Sequence, residues 1–151
     1  MNDEYFKIID LEKHETKDIH DQHVNGSLTV VWRDWDNIIK EELKMVYVTS
    51  TNPGEIKGPH LHTKRNSYFV CIHGEVIFVI QKKSGEFEEV RTNADRPVLI
   101  FIPKNVPVAQ INVNDGVSRI LTLADMSWRP NDNEMKNISF DDYDWDKWKS
   151  G

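Results

Sequence analysis

A single cysteine and the lack of any apolar run near the roughly 20 residues of a membrane helix are the first absences in this 151-residue chain. One thiol cannot form an intramolecular disulfide. Cys71 sits inside an apolar run, where a cysteine acts as a small buried hydrophobe, and a reducing cytoplasm is the expected compartment. Basic charge is also scarce: 19 Lys and Arg stand against 25 Asp and Glu, a formal net charge of -6. That balance excludes general nucleic-acid binding, which needs a basic surface, but leaves room for a small basic pocket that takes one nucleotide. The N-terminus, Met1-Asn2-Asp3-Glu4-Tyr5, is acidic and has no apolar run, so it is not read as a signal peptide. There is no internal repeat and no low-complexity linker. Helical pattern is nearly missing too: only Trp35–Lys44 could form a helix, and it is read as a loop or a single turn.

What remains is a series of short β-rich runs. They are Ser27–Arg33, Leu43–Ser50, Ser67–Ile72, Glu75–Lys82, Glu86–Arg91, Pro97–Ile102, Val108–Val113 and Ser118–Ala124. Between them stand turn-forming groups: Asn25-Gly26, Asn52-Pro53-Gly54, His73-Gly74, Lys83-Ser84-Gly85, Pro103-Lys104-Asn105 and Asn114-Asp115-Gly116. Many short strands at regular spacing predict a single all-β domain, a sandwich or barrel. Residues 1–25 read as an N-terminal edge segment, 26–124 as the core and 125–151 as a C-terminal tail. The tail mixes acids with Trp128, Phe140, Tyr143, Trp145 and Trp148. Solvated coil does not use so many aromatics, so the tail is expected to pack on the barrel or on a second subunit.

The chemistry is concentrated in two stretches. In Gly54–Gly74 the order is Gly, five residues, His60-Leu61-His62, four residues, Ser67, six residues, Gly. In Pro103–Asn112 it is Pro-Lys-Asn, two residues, Val108, three residues, Asn112. These spacings resemble the two signatures of the cupin superfamily, which implies a cupin jelly roll, the double-stranded β-helix. Asn105 stands where that pattern has glycine, and asparagine also accepts a positive φ. Ser67 stands where metal-binding cupins carry a carboxylate, and Val108 where they carry a third histidine. Two imidazoles leave a divalent ion short of its usual three or four protein ligands, so no metal and no other cofactor are expected.

Residues two apart on a strand face the same way, so His60 and His62 should point together into the barrel. Lys57, Lys64 and Arg65 around them suit an anionic ligand. Gly58-Pro59-His60-Leu61-His62-Thr63-Lys64 resembles the corresponding stretch of the dTDP-sugar 3,4-ketoisomerases. It is also similar to that of the dTDP-4-dehydrorhamnose 3,5-epimerases, whose tail resembles Trp128-Arg129-Pro130-Asn131-Asp132 and Tyr143-Asp144-Trp145. The resemblance implies that His60 matches the catalytic histidine of both families and His62 the second histidine of the ketoisomerases. Lys57 takes the place of an arginine. The epimerases' lysine falls at Ser67, their second histidine at Val108 and their tyrosine acid near Thr122, so their reaction does not carry over intact.

The expected function is therefore isomerisation or epimerisation of a nucleotide-linked 4-keto-6-deoxy sugar, without a metal. His60 would act as the base on an acidic C–H beside the carbonyl, through an enolate stabilised by His62, Lys57 or Arg65. Expected ligands of the nucleotide diphosphate-sugar are Lys57, Lys64, Arg65, Ser67, Gln110, Asn112, Tyr47 and Arg119, with Arg96 a further cation. Gln110 and Asn112 share the parity of Val108. Tyr47 reads as an acid, a stacking ring or a core tyrosine. Tyr68 should face away, His73 should be exposed, and His14, His20 and His23 carry no role. A homodimer is expected from the aromatic tail and from edge strands that need covering, with no membrane partner. The alternatives are a non-catalytic cupin that binds a sugar or nucleotide, and a metal cupin with an irregular ligand set.

Overall fold

The computed structural model describes residues 6–149. Twelve strands form among them: β1 Lys7–Asp10, β2 Lys13–Lys17, β3 Val24–Thr29, β4 Met45–Thr51, β5 Ile56–His62, β6 Ser67–His73, β7 Glu75–Gln81, β8 Phe87–Asn93, β9 Val98–Ile102, β10 Val108–Ile111, β11 Ser118–Ala124 and β12 Met135–Asn137. A short 3-10 helix, Trp145–Trp148, follows them. Two five-stranded antiparallel sheets, in the orders β1-β9-β6-β11-β4 and β12-β5-β10-β7-β8, face each other as a jelly roll. The Trp35–Lys44 stretch is loop and turn, as expected. No helix among the described residues is long and apolar enough to cross a membrane.

Alternation drives the packing. Most residues of β6, β7 and β9 are buried, because one face meets the barrel interior and the other is covered by a loop or by the C-terminal tail. Phe69, Cys71, Val76, Phe78, Ile80, Ile100, Ile102, Val108 and Ile120 fill the space between the sheets. Each such large side chain, fully buried, contributes about 1.5–3 kcal/mol. Tyr68, Val70, Leu99 and Leu123 point the other way, under the loop that carries Val31, Ile38, Ile39 and Leu43. Tyr68 thus faces away from Ser67, and its hydroxyl donates to Glu41. Cys71 is buried, and burial pushes its thiol above the ordinary range.

The tail packs on its own barrel. Phe140 is buried against Ile77, Val79, Ala109 and Ile111, with Tyr143, Trp145 and Trp148 beside it. Trp128 is the exception and stands exposed.

Several elements differ from expectation. The Ser27–Arg33 run is a strand only as far as Thr29, and the chain then leaves toward the covering loop. β10 stops at Ile111 because Asn112 turns its amide to Thr51 O and Gly116 O, at 2.9 and 2.8 Å. Within residues 1–25, β1 is an edge strand on β9, while β2 pairs only with β3 in a separate hairpin. The runs of β2 and β12 were not expected as strands, and β5, expected as a strand only at His60–His62, extends back to Ile56.

Candidate active site

β5 carries the histidines. It pairs with β10, with Val108 opposite His60 and Gln110 opposite Lys57, and the register shifts by one residue between them. The extra residue restores parity, so Lys57 lies on the inward side with His60 rather than against it. Gly58 sits in this bulge with φ +85°. A Cβ there would lie 2.9 Å from Val108 O and 3.1 Å from His60 Nδ1. Only glycine leaves that room. The Nδ1 edge of His60 thus faces the backbone, which leaves Nε2 at the far end of the ring. Asn105 has φ 67°, the conformation that allows it to replace glycine in the second signature, and its N–H donates to His62 O at 2.6 Å.

The sequence did not single out Glu134. It lies just before β12, which pairs with β5 so that Met135 is opposite His62 and Asn137 opposite His60. Glu134 is 4% exposed. Its Oε1 accepts from His62 Nδ1 at 2.6 Å, and Oε2 accepts the backbone N–H groups of Lys64 and Arg65 at 3.0 and 2.9 Å. Its backbone carbonyl takes the N–H and hydroxyl of Thr63, both at 2.8 Å. Burial pushes the carboxyl up, but the bonds from His62, Lys64 and Arg65 outweigh it and hold the group below the ordinary carboxylate range. One tail carboxylate therefore fixes both His62 and the turn that leads to Arg65.

His60 and His62 stand edge to face with ring centroids 5.5 Å apart. His60 forms no side-chain hydrogen bond with another described residue. Burial, then the neighbouring His62, then the Arg65 guanidinium push its pKa down to about 4, against the pull of Glu134, so it is neutral at physiological pH. The two rings open on a cavity of about 440 Å³, which Tyr47, Arg65, Trp128, Asn131, Asp132 and Met135 also line. Arg65 reaches Tyr47 OH through Nη1 at 3.3 Å. Tyr47 is the direct cross-strand partner of Thr122. A tyrosine therefore does stand beside the position where the epimerase resemblance calls for one, supplied by β4 instead of β11.

The other expected ligands divide. His60, His62, Arg65 and Tyr47 meet in the cavity. Ser67 and Gln110 are buried on the inward faces of β6 and β10, outside the cavity lining, and Ser67 Oγ and Gln110 Oε1 have no partner there. Lys57 is half-buried one step deeper than His60. Three expectations need correcting. Asn112 is a structural peg, because its amide is spent on the backbone at the far end of the barrel. Arg119 is exposed on the outward parity of β11, opposite His73, because Ser118, Ile120 and Thr122 take the inward positions. The Lys64 side chain is exposed, and only its backbone N–H serves the site. Arg96 lines a separate surface cleft with Lys13 and Asp95. His14, His20, His23 and His73 are exposed.

A jelly roll with a histidine pair projecting inward from one strand at its mouth is a cupin. Residues 5–144 match the family described as FdtA: WxcM-like, C-terminal, and the chain belongs to that family. It is 27% identical over 123 residues to the spore coat polysaccharide biosynthesis protein SpsL of Bacillus subtilis (strain 168), covering 78% of this chain and 81% of that one. Its fold is similar to that of a dTDP sugar isomerase from Desulfovibrio desulfuricans G20, with a TM-score of 0.78, 16% identity and coverage of 91% and 86% of the two chains. It is also similar to that of a 3,4-ketoisomerase from Helicobacter canadensis, with a TM-score of 0.69, 22% identity and coverage of 95% and 94%.

Proposed function

We propose that this chain is a sugar-nucleotide isomerase that moves the ketone of a dTDP-linked 4-keto-6-deoxy sugar between C-4 and C-3. The observation that carries this reading is the division of labour between two histidines on one strand face. His60 is neutral and unbonded, while His62 is backed by the buried carboxylate of Glu134. Similarity to proteins named for dTDP-sugar and 3,4-keto isomerisation supports the substrate class.

The C-3 hydrogen is acidic because the C-4 carbonyl can take up the electron pair. His60 removes it through Nε2, the C–H pair becomes the C=C bond and the carbonyl pair moves to oxygen, giving an enolate. Returning that proton to C-4 from the same side, with transfer of the hydroxyl proton from O-3 to O-4, completes the shift. His62 suits the second transfer, because the carboxylate on Nδ1 fixes its tautomer and stabilises the imidazolium that forms in transit. A second reading, epimerisation at one carbon, is favoured by Tyr47. It stands on the opposite sheet from the histidines and offers a proton donor for the other face of the sugar.

The residues present do not suit a divalent metal. Val108, buried and apolar, lies opposite His60 where a third histidine would be needed. The donor atoms of His60, His62 and Glu134 do not form a set within 4.8 Å of one another. Among the described residues only Asp18, Asp21 and His23 do, in the β2–β3 loop. Catalysis is therefore assigned to protein groups alone. The chain is also assigned as a homodimer. The β2–β3 hairpin is paired only with itself, and Val24, Leu28 and the outward Val46 and Val48 of edge strand β4 expose apolar surface. A lone two-stranded hairpin is marginal in water without something to pack on.

The test is direct incubation of the protein with dTDP-4-keto-6-deoxyglucose, with the product identified by NMR, before and after exhaustive chelation. A 3-keto product, formed at an unchanged rate after chelation, is the expected result. A product inverted at one carbon supports the second reading. No conversion of any 4-keto sugar nucleotide refutes both.

A further inference from the structure

Arg65 is 6% exposed and lines the cavity, yet its charge has no counter-ion. Its guanidinium makes one hydrogen bond, from Nη1 to Tyr47 OH, and Nε is buried without an acceptor. No carboxylate lies within ion-pair reach of it among the described residues. Glu134, whose Oε2 accepts the backbone N–H of Arg65, forms no ion pair with the guanidinium, and its oxygens are turned to His62 Nδ1 and the backbone N–H groups of Lys64 and Arg65. Asp132, also in the lining, accepts the N–H groups of Arg129 and Glu134. A buried guanidinium without a counter-charge or a full set of acceptors lowers stability. A fold keeps such a group where something other than stability needs it.

We propose that Arg65 is the oxyanion-binding residue of this site, donating to the sugar carbonyl oxygen as it becomes an enolate, and that it is not a ligand of the pyrophosphate. The inference rests on the isomerase reading above and narrows the role of Arg65, the one Lys or Arg among the described residues that lines the cavity. When the C–H bond breaks, its proton goes to His60 and the charge goes to oxygen. Arg65 keeps all its protons and supplies an N–H bond and a positive field to that oxygen. On collapse of the enolate the proton returns to carbon and the field is again unopposed.

Geometry separates this role from phosphate binding. Arg65 sits with the imidazoles, close enough for its charge to be among those that hold His60 neutral. Trp128, in the cavity lining and 64% exposed, marks its solvent side, toward which a nucleoside diphosphate would extend from a sugar held at the imidazoles. A diphosphate suits hydrated surface cations, and the exposed Lys64 is of that kind. A preorganised donor in a water-poor position does most for charge that exists only while the reaction proceeds. Lys57, the other expected cation, is outside the lining.

The test uses the full chain with Arg65→Met and Arg65→Lys. Three quantities are measured: kcat and KM with the 4-keto sugar nucleotide, affinity for dTDP alone by calorimetry, and the His60 pKa by NMR. For Arg65→Met, kcat is expected to fall about 100-fold or more, the range for loss of one oxyanion donor. KM and dTDP affinity should stay within about threefold of wild type by the same argument. The melting temperature should not fall, and the His60 pKa should rise, leaving His62 and Glu134 as the charges that face it. Arg65→Lys keeps the charge and loses the fork, and should retain more activity than Arg65→Met. It decides the matter if Arg65→Met does not fold. A dTDP affinity weakened tenfold or more with kcat retained at saturation would make Arg65 a phosphate ligand and overturn the proposal, as would unchanged kcat. Failure of the isomerase reading would show beforehand, as a wild-type protein that turns over no 4-keto sugar nucleotide.

Discussion

Replacing Glu134 with Gln keeps the shape of the side chain and removes its charge, and the structure says what that does. The carboxylate accepts three N–H groups, from His62 Nδ1, Lys64 N and Arg65 N, while 4% exposed. An amide has one accepting oxygen. If that oxygen stays on the two backbone N–H groups, the new NH₂ meets the donor Nδ1–H of His62. The ring must then give up its tautomer or its position. A hydrogen bond to a charged group contributes about 1.5–3 kcal/mol, and a buried donor left unpaired costs about 1–3 kcal/mol. Some relaxation is expected, so the net destabilisation should be about 3 kcal/mol, a fall in melting temperature of roughly 6–12 °C for a domain of this size. Turnover should drop about 100-fold, because His62 loses the group that stabilises its protonated form. The assay pairs urea unfolding and steady-state kinetics with NMR of the His62 Nδ1 proton. In the wild type that proton should resonate far downfield, and in Glu134→Gln the signal should vanish. A variant that melts within a degree of wild type and turns over normally would refute the reasoning about the tail carboxylate.

Other expectations follow from the same geometry. Gly58→Ala places a side chain at φ +85°, 2.9 Å from Val108 O and 3.1 Å from His60 Nδ1. It should cost about 2–4 kcal/mol in urea unfolding and reduce turnover, and a neutral effect would contradict the close approach. His60 ionises at about 4 in the folded chain and near 6.5 when unmodified by its surroundings, so the unfolded chain binds the proton first as pH falls. Stability should therefore decline from pH 6.5 to about 4, by up to on the order of 3 kcal/mol at about 1.36 kcal/mol per pH unit. Glu134, held below its ordinary value, adds a further loss as pH falls through its folded pKa. Thermal melts from pH 7 to 4 should be flatter for His60→Asn in the upper part of that range. Sedimentation at micromolar concentration should give about twice the 17.7 kDa of the chain, and Leu28→Glu in the exposed hairpin should shift it toward one chain. A wild type sedimenting only as a single chain would remove the homodimer.

The sequence makes some of this plain and hides the rest for physical reasons. β4 and β6 to β11 are legible because their apolar, β-branched runs end at turn residues. β2 reads Lys-His-Glu-Thr-Lys and β12 Met-Lys-Asn, nearly all exposed, so neither shows the alternation that marks a half-buried strand. Only the His60–His62 end of β5 is legible, because Gly58-Pro59 in its middle is a pair that ordinarily signals a break. The histidine pair is legible from two-residue spacing within the first signature. Glu134 is not, because its burial depends on β12 meeting β5 from some 70 residues away. In the sequence it is one acid among many in the tail. Arg119 shows how far parity reaches. It sits between the inward Ser118 and Ile120, and that alternation is a better guide to its direction than its charge is to its role.

The central claim is that His60 takes a proton from carbon beside a sugar ketone. The most direct measurement is incubation of dTDP-4-keto-6-deoxyglucose in heavy water with wild type and with His60→Asn, followed by proton NMR of the sugar ring. Wild type should convert the substrate, and any deuterium, taken up where the proton on His60 exchanges with solvent before its return, should appear only at C-3 or C-4. His60→Asn should stay folded, bind dTDP and lose both conversion and exchange by roughly 100-fold or more. Conversion at the wild-type rate by His60→Asn, or a folded wild type that neither converts the substrate nor exchanges a ring hydrogen, would contradict the account.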